Sequence, residues 1–252
     1  MKINFDRNAE KRRETKEELE AGLSNDSLAD NEINENYDNF ALAGHDRVEE
    51  FMNEVQELEL DNEIEDYESY INEESDENRE ALSEIEQIKE ISDFIDSLDE
   101  INFENWKDLE INERIVVMQN IEKKIAEITN RSPLQVELER MPSGVRGAMD
   151  WEKQKILMNQ DLVSSESIND LHHALTTLNH ESRHGYQMYN LLISRTELNV
   201  EKYEEWRKNV MEPPGYINAG LFGFKRYYMQ PIEVDARDFS EAVMNNVKLR
   251  GK

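Results

Sequence analysis

Apolar residues recur every three or four positions along several stretches of this 252-residue chain, the spacing that lines one face of a helix. Ile111, Ile115, Met118, Ile121, Ile125 and Ile128 predict a long amphipathic helix, led into by Trp106 and Leu109 and closed by Ser132-Pro133. Ahead of it, Leu82, Ile85, Ile88, Ile91, Phe94, Ile95 and Leu98 form a second stripe whose opposite face is almost all carboxylate. A similar acidic helix is predicted around Val48, Phe51, Met52, Val55 and Leu58. Downstream the period changes. Residues 134–138 alternate as a strand, Pro142-Ser143-Gly144 reads as a turn, and residues 147–151 and 155–158 predict two further strands joined at Glu152-Lys153. Helical spacing then returns at Ile168, Leu171, Leu175 and Leu178, with Ser164, Ser165 and Ser167 as candidate caps. Further helices are predicted over residues 199–211 and from Pro231, where Ile232, Ala236, Phe239 and Val243 share a face. The fold class expected is α+β, mostly helical, with a small sheet.

Charge divides the chain. The formal net charge is −28, and residues 1–100 hold 34 acidic against 9 basic side chains while the remainder holds 23 against 20. Three segments follow: a mobile acidic N-terminus over 1–44, an acidic helical segment over 45–100, and a globular domain over 101–252. This surface argues against nucleic acid and against anionic membranes. The acidic helices are expected to pack on the domain or to meet a basic protein partner. With no cysteine, disulfides, thiolate ligands and a cysteine nucleophile are excluded. The charged N-terminus is no cleavable signal, and no run approaches the ~20 apolar residues that span a bilayer. Synthesis in the cytoplasm is expected, with signal-independent export or delivery compatible.

The chemistry concentrates at His180-Glu181-Ser182-Arg183-His184, an HExxH pentapeptide inside the helix that begins near Ile168. Four residues is about one helical turn, so both imidazoles leave the same face and can grip one metal ion. Glu181 lies beside that ion as a candidate general base, and the pattern points to a zinc (Zn2+) peptidase site. A third ligand should come from downstream. Glu233, in the first turn of the helix opening at Pro231, is the first choice and Asp235 the second. Arg183 is expected to pair with Asp235 or Asp238. His173 lies about 10 Å along the helix from His180, too far to share the ion, and is expected at the surface or behind a ligand. Gly185 is expected where backbone approaches closely near the ion, and a tyrosine from the aromatic 212–230 stretch could donate to an oxyanion.

The segments NHESRHGYQ (179–187) and QPIEVDARDF (230–239) resemble the gluzincin branch of zincin metallopeptidases, and more narrowly the zincin-like domains of bacterial polymorphic toxins and of phage or mobile-element proteins. The resemblance covers roughly residues 103–247. It implies a zincin-like catalytic domain with an HExxH active-site helix, His180, His184 and Glu233 as zinc ligands, Glu181 as general base, and a protein or peptide substrate. The separation of 49 residues between His184 and Glu233 is longer than in compact gluzincins. The metzincin pattern is absent, since Gln187 and Asn190 occupy the positions where it requires glycine and histidine. The competing expectation is an inactive zincin-fold protein that acts through its acidic helices.

Overall fold

A computed structural model describes residues 81–217 and 223–249. The acidic stretch around Val48 to Leu58 and the 1–44 segment lie outside the described residues. Helix α1 (Glu84–Ser97) is followed by a 3-10 turn (Asp99–Ile101), the short α2 (Phe103–Trp106) and α3 (Ile111–Ile128). Strands β1 (Gln135–Glu139), β2 (Gly147–Asp150) and β3 (Lys155–Asn159) come next, then the one-turn α4 (Gln160–Ser164) and the 25-residue α5 (Ile168–Leu192). The chain finishes with α6 (Val200–Met211), the short α7 (Phe224–Tyr228) and α8 (Pro231–Met244). The class is α+β, as the alternating periods predict. Among the described residues no helix is long and apolar enough to cross a membrane.

Local chemistry sets the boundaries. Ser83 and Glu86 form a reciprocal capping box at the start of α1. Of the three candidate serines, Ser167 caps α5 by accepting from the Asp170 N–H. Asn199 does the same for α6, and Pro231 occupies the first turn of α8.

The three-stranded sheet has the order β1-β3-β2. β1 runs parallel to β3 with Val136 opposite Ile156, and β2 runs antiparallel to it with Met149 opposite Ile156. The central strand therefore buries Ile156 and Met158 completely, while β2 is a half-buried edge lying along α5. Gly147 permits that approach. A Cβ there would sit 2.5 Å from Thr177 Cγ2 and 3.0 Å from the Leu157 carbonyl, closer than a methyl group tolerates. Gly185 serves a different contact from the expected one. Its missing Cβ makes room for Leu134 Cδ1 at 2.5 Å, on the side of α5 that faces the start of β1.

One apolar core joins α1, α3, the sheet, the first half of α5 and α8, with Ile91, Ile95, Met118, Ile121, Ile156, Leu175 and Phe239 at its centre. α1 thus belongs to the same core as the elements after residue 101, although its sequence groups it with the acidic segment. Ser92 also donates to the Val243 carbonyl. A second cluster, Tyr186, Met188, Trp206, Val210 and Ile232, packs α6 and α8 on the other half of α5. The HExxH turn lies where the two clusters meet.

Candidate metal centre

His180, Glu181 and His184 are carried by the middle of α5, and Glu233 by the first turn of α8. α8 packs along α5 through Ile232, Ala236 and Phe239, all buried, and this turns Glu233 towards the two imidazoles. The Nε2 atoms of His180 and His184 are 3.0 Å apart. His180 Nε2 lies 3.5 Å from Glu233 Oε2, and His184 Nε2 lies 3.5 Å from Glu233 Oε1. Donors about 2.0–2.1 Å from a tetrahedral ion are about 3.3 Å from one another, so the spacing suits one small cation. Two nitrogens and one carboxylate that could hold a metal ion form the only such group among the described residues. Glu233 and His184 are almost fully enclosed, whereas the His180 side chain keeps 16% of its surface in solvent. The cluster opens on that side.

Electrostatics follow from this enclosure. Burial pushes Glu233 up, but His184 and His180 beside it outweigh burial and hold its carboxyl well below the usual range. Burial pushes His184 down, yet the carboxylates of Glu233 and Glu181 raise it to about 9. Glu181 behaves oppositely. Burial raises it more than the two histidines lower it, even though it accepts a hydrogen bond from the Met149 N–H on β2.

Surrounding groups orient these side chains. Gln187 Oε1 lies 2.8 Å from His184 Nδ1. The Gln187 amide nitrogen donates to Asp235 Oδ2 at 2.8 Å and to the Ile232 carbonyl at 2.9 Å. With the amide so fixed, Nδ1 carries a proton towards Gln187 and Nε2 is the nitrogen turned to His180 and Glu233. Tyr216 donates to Glu233 Oε1 at 2.6 Å, and Tyr227 packs edge-on against Tyr216 with its hydroxyl also bonded to Glu233. Burial first, and then the Glu233 charge, push both phenols well up, so both remain protonated donors. Trp151, at the end of β2, meets the His184 ring edge-on at 5.9 Å.

Arg183 points away from the imidazoles and is buried. Its Nε donates to Asp235 Oδ2 at 2.8 Å and its Nη2 to Glu84 Oε2 at 2.7 Å. Glu197 lies 3.8 Å away, and the rings of Tyr186, Trp206 and Phe239 surround the guanidinium. Burial opposes its charge, but Asp235, Glu84 and Glu197 outweigh burial and keep it protonated. Lys202 joins the group through Asp235 and Glu84. On the far side of the turn, Ser182 donates to the buried Glu122, which also takes Arg131 and the Leu134 N–H.

The structure therefore brings His180, His184 and Glu233 together with Glu181 beside them. Asp235, the second choice as a ligand, is committed to Arg183, Lys202 and Gln187 instead. Asp238 is exposed on α8 and is not the partner of Arg183. His173 is half-buried two turns before the pentapeptide, with its ring against His172, and it does not join the cluster. Gln187, Lys202, Glu84, Glu197 and Trp151 were not singled out from sequence as site residues. Only Gln187 carried a local signal, being one turn beyond His184 on the same face. Comparison of the chain with protein-family models, with curated proteins and with solved structures finds no match.

Proposed function

We propose that this protein is a zinc-dependent peptidase of the zincin type. The observation that carries the reading is the convergence of two imidazole nitrogens and a buried carboxylate at tetrahedral spacing, next to a second, separately held carboxylate. Soft thiolates are absent, and the nitrogen and oxygen donors suit zinc. An ion held there would polarise a scissile carbonyl and acidify water.

Glu181 supplies the proton transfers. Its burial raises its affinity for a proton, which suits a group that takes a proton from the attacking water and gives it to the leaving amine. The Met149 N–H holds its carboxylate against β2. Gln187 accepts from His184 Nδ1 and so aims Nε2 at the place an ion would take, and Tyr216 fixes one oxygen of Glu233. β2 is the edge strand on the side of Glu181, and an extended peptide added beside it would pass Glu181.

Elemental mass spectrometry of protein purified without chelator tests the site. About one zinc per chain is expected, with loss in His184→Ala. Glu181→Gln should keep the metal and lose about 10²–10⁴-fold in hydrolysis of an unfolded protein substrate. Undiminished cleavage by Glu181→Gln would refute the assignment of the base.

A further inference from the structure

We infer that Gln187 is a positioning residue for the metal centre, and that it is set by a relay running from α1 through Glu84, Arg183 and Asp235 to His184. The inference rests on the metal-site reading above. It adds that the acidic helix α1 is wired into the site.

The argument begins with the Gln187 amide, which can present either an oxygen or an NH2 group to His184. Its side chain is buried, and its two acceptor neighbours, Asp235 Oδ2 and the Ile232 carbonyl, both demand a donor. The NH2 group must face them, and the oxygen must face His184 Nδ1 at 2.8 Å. Asp235 can impose this only while it stays in place. Arg183 holds it with two hydrogen bonds, from Nε to Oδ2 and from Nη2 to Oδ1, and Lys202 makes a third contact at 2.7 Å. Arg183 is itself aimed by Glu84, the first residue of α1, at 2.7 Å. Glu84 also bonds Lys202, so one carboxylate from α1 steadies both cations that hold Asp235. Each link is a charged or amide group whose orientation is set by the partners named, with Arg183 Nη1 the one buried nitrogen of the relay left without a hydrogen bond. Arg183, a variable position of the pentapeptide, therefore acts on the centre from behind. It does not face the ion.

A group that orients a metal-binding imidazole typically changes metal affinity 10- to 100-fold when it is lost. Competition with a chromophoric chelator measures zinc affinity, and the visible spectrum of the Co2+-loaded full chain reports ligand geometry. Gln187→Met keeps the volume and removes the amide. It is expected to weaken zinc binding about 10- to 100-fold and to shift the Co2+ bands. Gln187→Glu instead keeps an oxygen acceptor for Nδ1–H at nearly the same volume and can share a proton with Asp235 Oδ2 in place of the amide hydrogen bond. It should recover most of the affinity and the original spectrum, which a purely packing role does not foresee. Should Gln187→Met fail to fold, Glu84→Gln at the half-exposed outer end of the relay replaces it, with a smaller loss in the same direction.

Wild-type affinity and spectrum in folded Gln187→Met, or in folded Glu84→Gln where that variant takes its place, would overturn the relay while leaving the metal site intact. A wild-type chain that takes up neither ion would overturn the metal-site reading itself, and the relay with it.

Discussion

Ile95→Ala tests whether α1 is structurally part of the body that carries the His180, His184 and Glu233 cluster. Ile95 is fully buried in the core shared by α1, α3 and α8. The change removes three carbons, worth about 0.8 kcal/mol each on transfer from water, or roughly 2.4 kcal/mol. The cavity left behind adds on the order of 1 kcal/mol where neighbours cannot collapse into it. The expected loss is therefore about 2.5–4 kcal/mol, a large share of the roughly 5–15 kcal/mol that holds a domain folded. The same helix supplies its own control. Ile85 is 80% exposed, and Ile85→Ala should stay within about 0.5 kcal/mol of wild type. Urea unfolding followed by tryptophan fluorescence reads the whole core, because Trp106 belongs to it and Trp206 to the adjoining cluster. Equal midpoints and slopes for Ile95→Ala and wild type would refute the reasoning. Removal of residues 1–100 is the harsher form of the same test. On the packing described here, it would strip the core of Ile91 and Ile95 together.

Gly147→Ala should cost about 1–3 kcal/mol by overpacking β2 against α5, with recovery in combination with Thr177→Ser, which removes the clashing Cγ2; denaturant midpoints of the single and double variants check this. Asp235 is pushed up by burial but held at about 2 by Arg183 and Lys202, below its ordinary 3.8. A depressed carboxyl stabilises above its unfolded pKa, so about 2 kcal/mol should be present above pH 4 and fade as the pH falls towards 2. Asp235→Asn should lose that dependence, as read from acid titrations of stability, and an unchanged acid limb would sink the assignment. Zinc at about 100 times its dissociation constant should stabilise the chain by about 2.7 kcal/mol. A chelator should lower the melting temperature of wild type but not of His184→Ala.

The helices were legible because burial of one face writes a three- and four-residue period into α1, α3, α5 and α8. The start of α8 follows from Pro231, whereas α3 already ends at Ile128, ahead of Ser132-Pro133, with Asn130 turned to a positive φ of 51°. Strand pairing was not legible. Alternation over residues 134–138 states that a strand exists but not that β3 lies between β1 and β2, since that order depends on contacts remote in sequence. The three residues that could hold a metal ion could be read from spacing within one helix and from one carboxylate in a first turn. Arg183 was expected to meet Asp235 or Asp238, and helix phase decided the matter: Asp235 lies on the face turned to α5, while Asp238 faces solvent. Glu84 stands 99 residues from Arg183, and no local pattern connects the two.

Every position of the HExxH turn is spoken for from a different direction. His180 and His184 face Glu233, Glu181 reaches the β2 backbone, Ser182 is held by Glu122 beneath the helix, and Arg183 is enclosed by Asp235, Glu84 and three aromatic rings. The two nominally variable positions thus carry as much information about this fold as the three fixed ones. The pentapeptide could not be transplanted to another helix as a five-letter unit, because its meaning is distributed over α1, β2, α3 and α8.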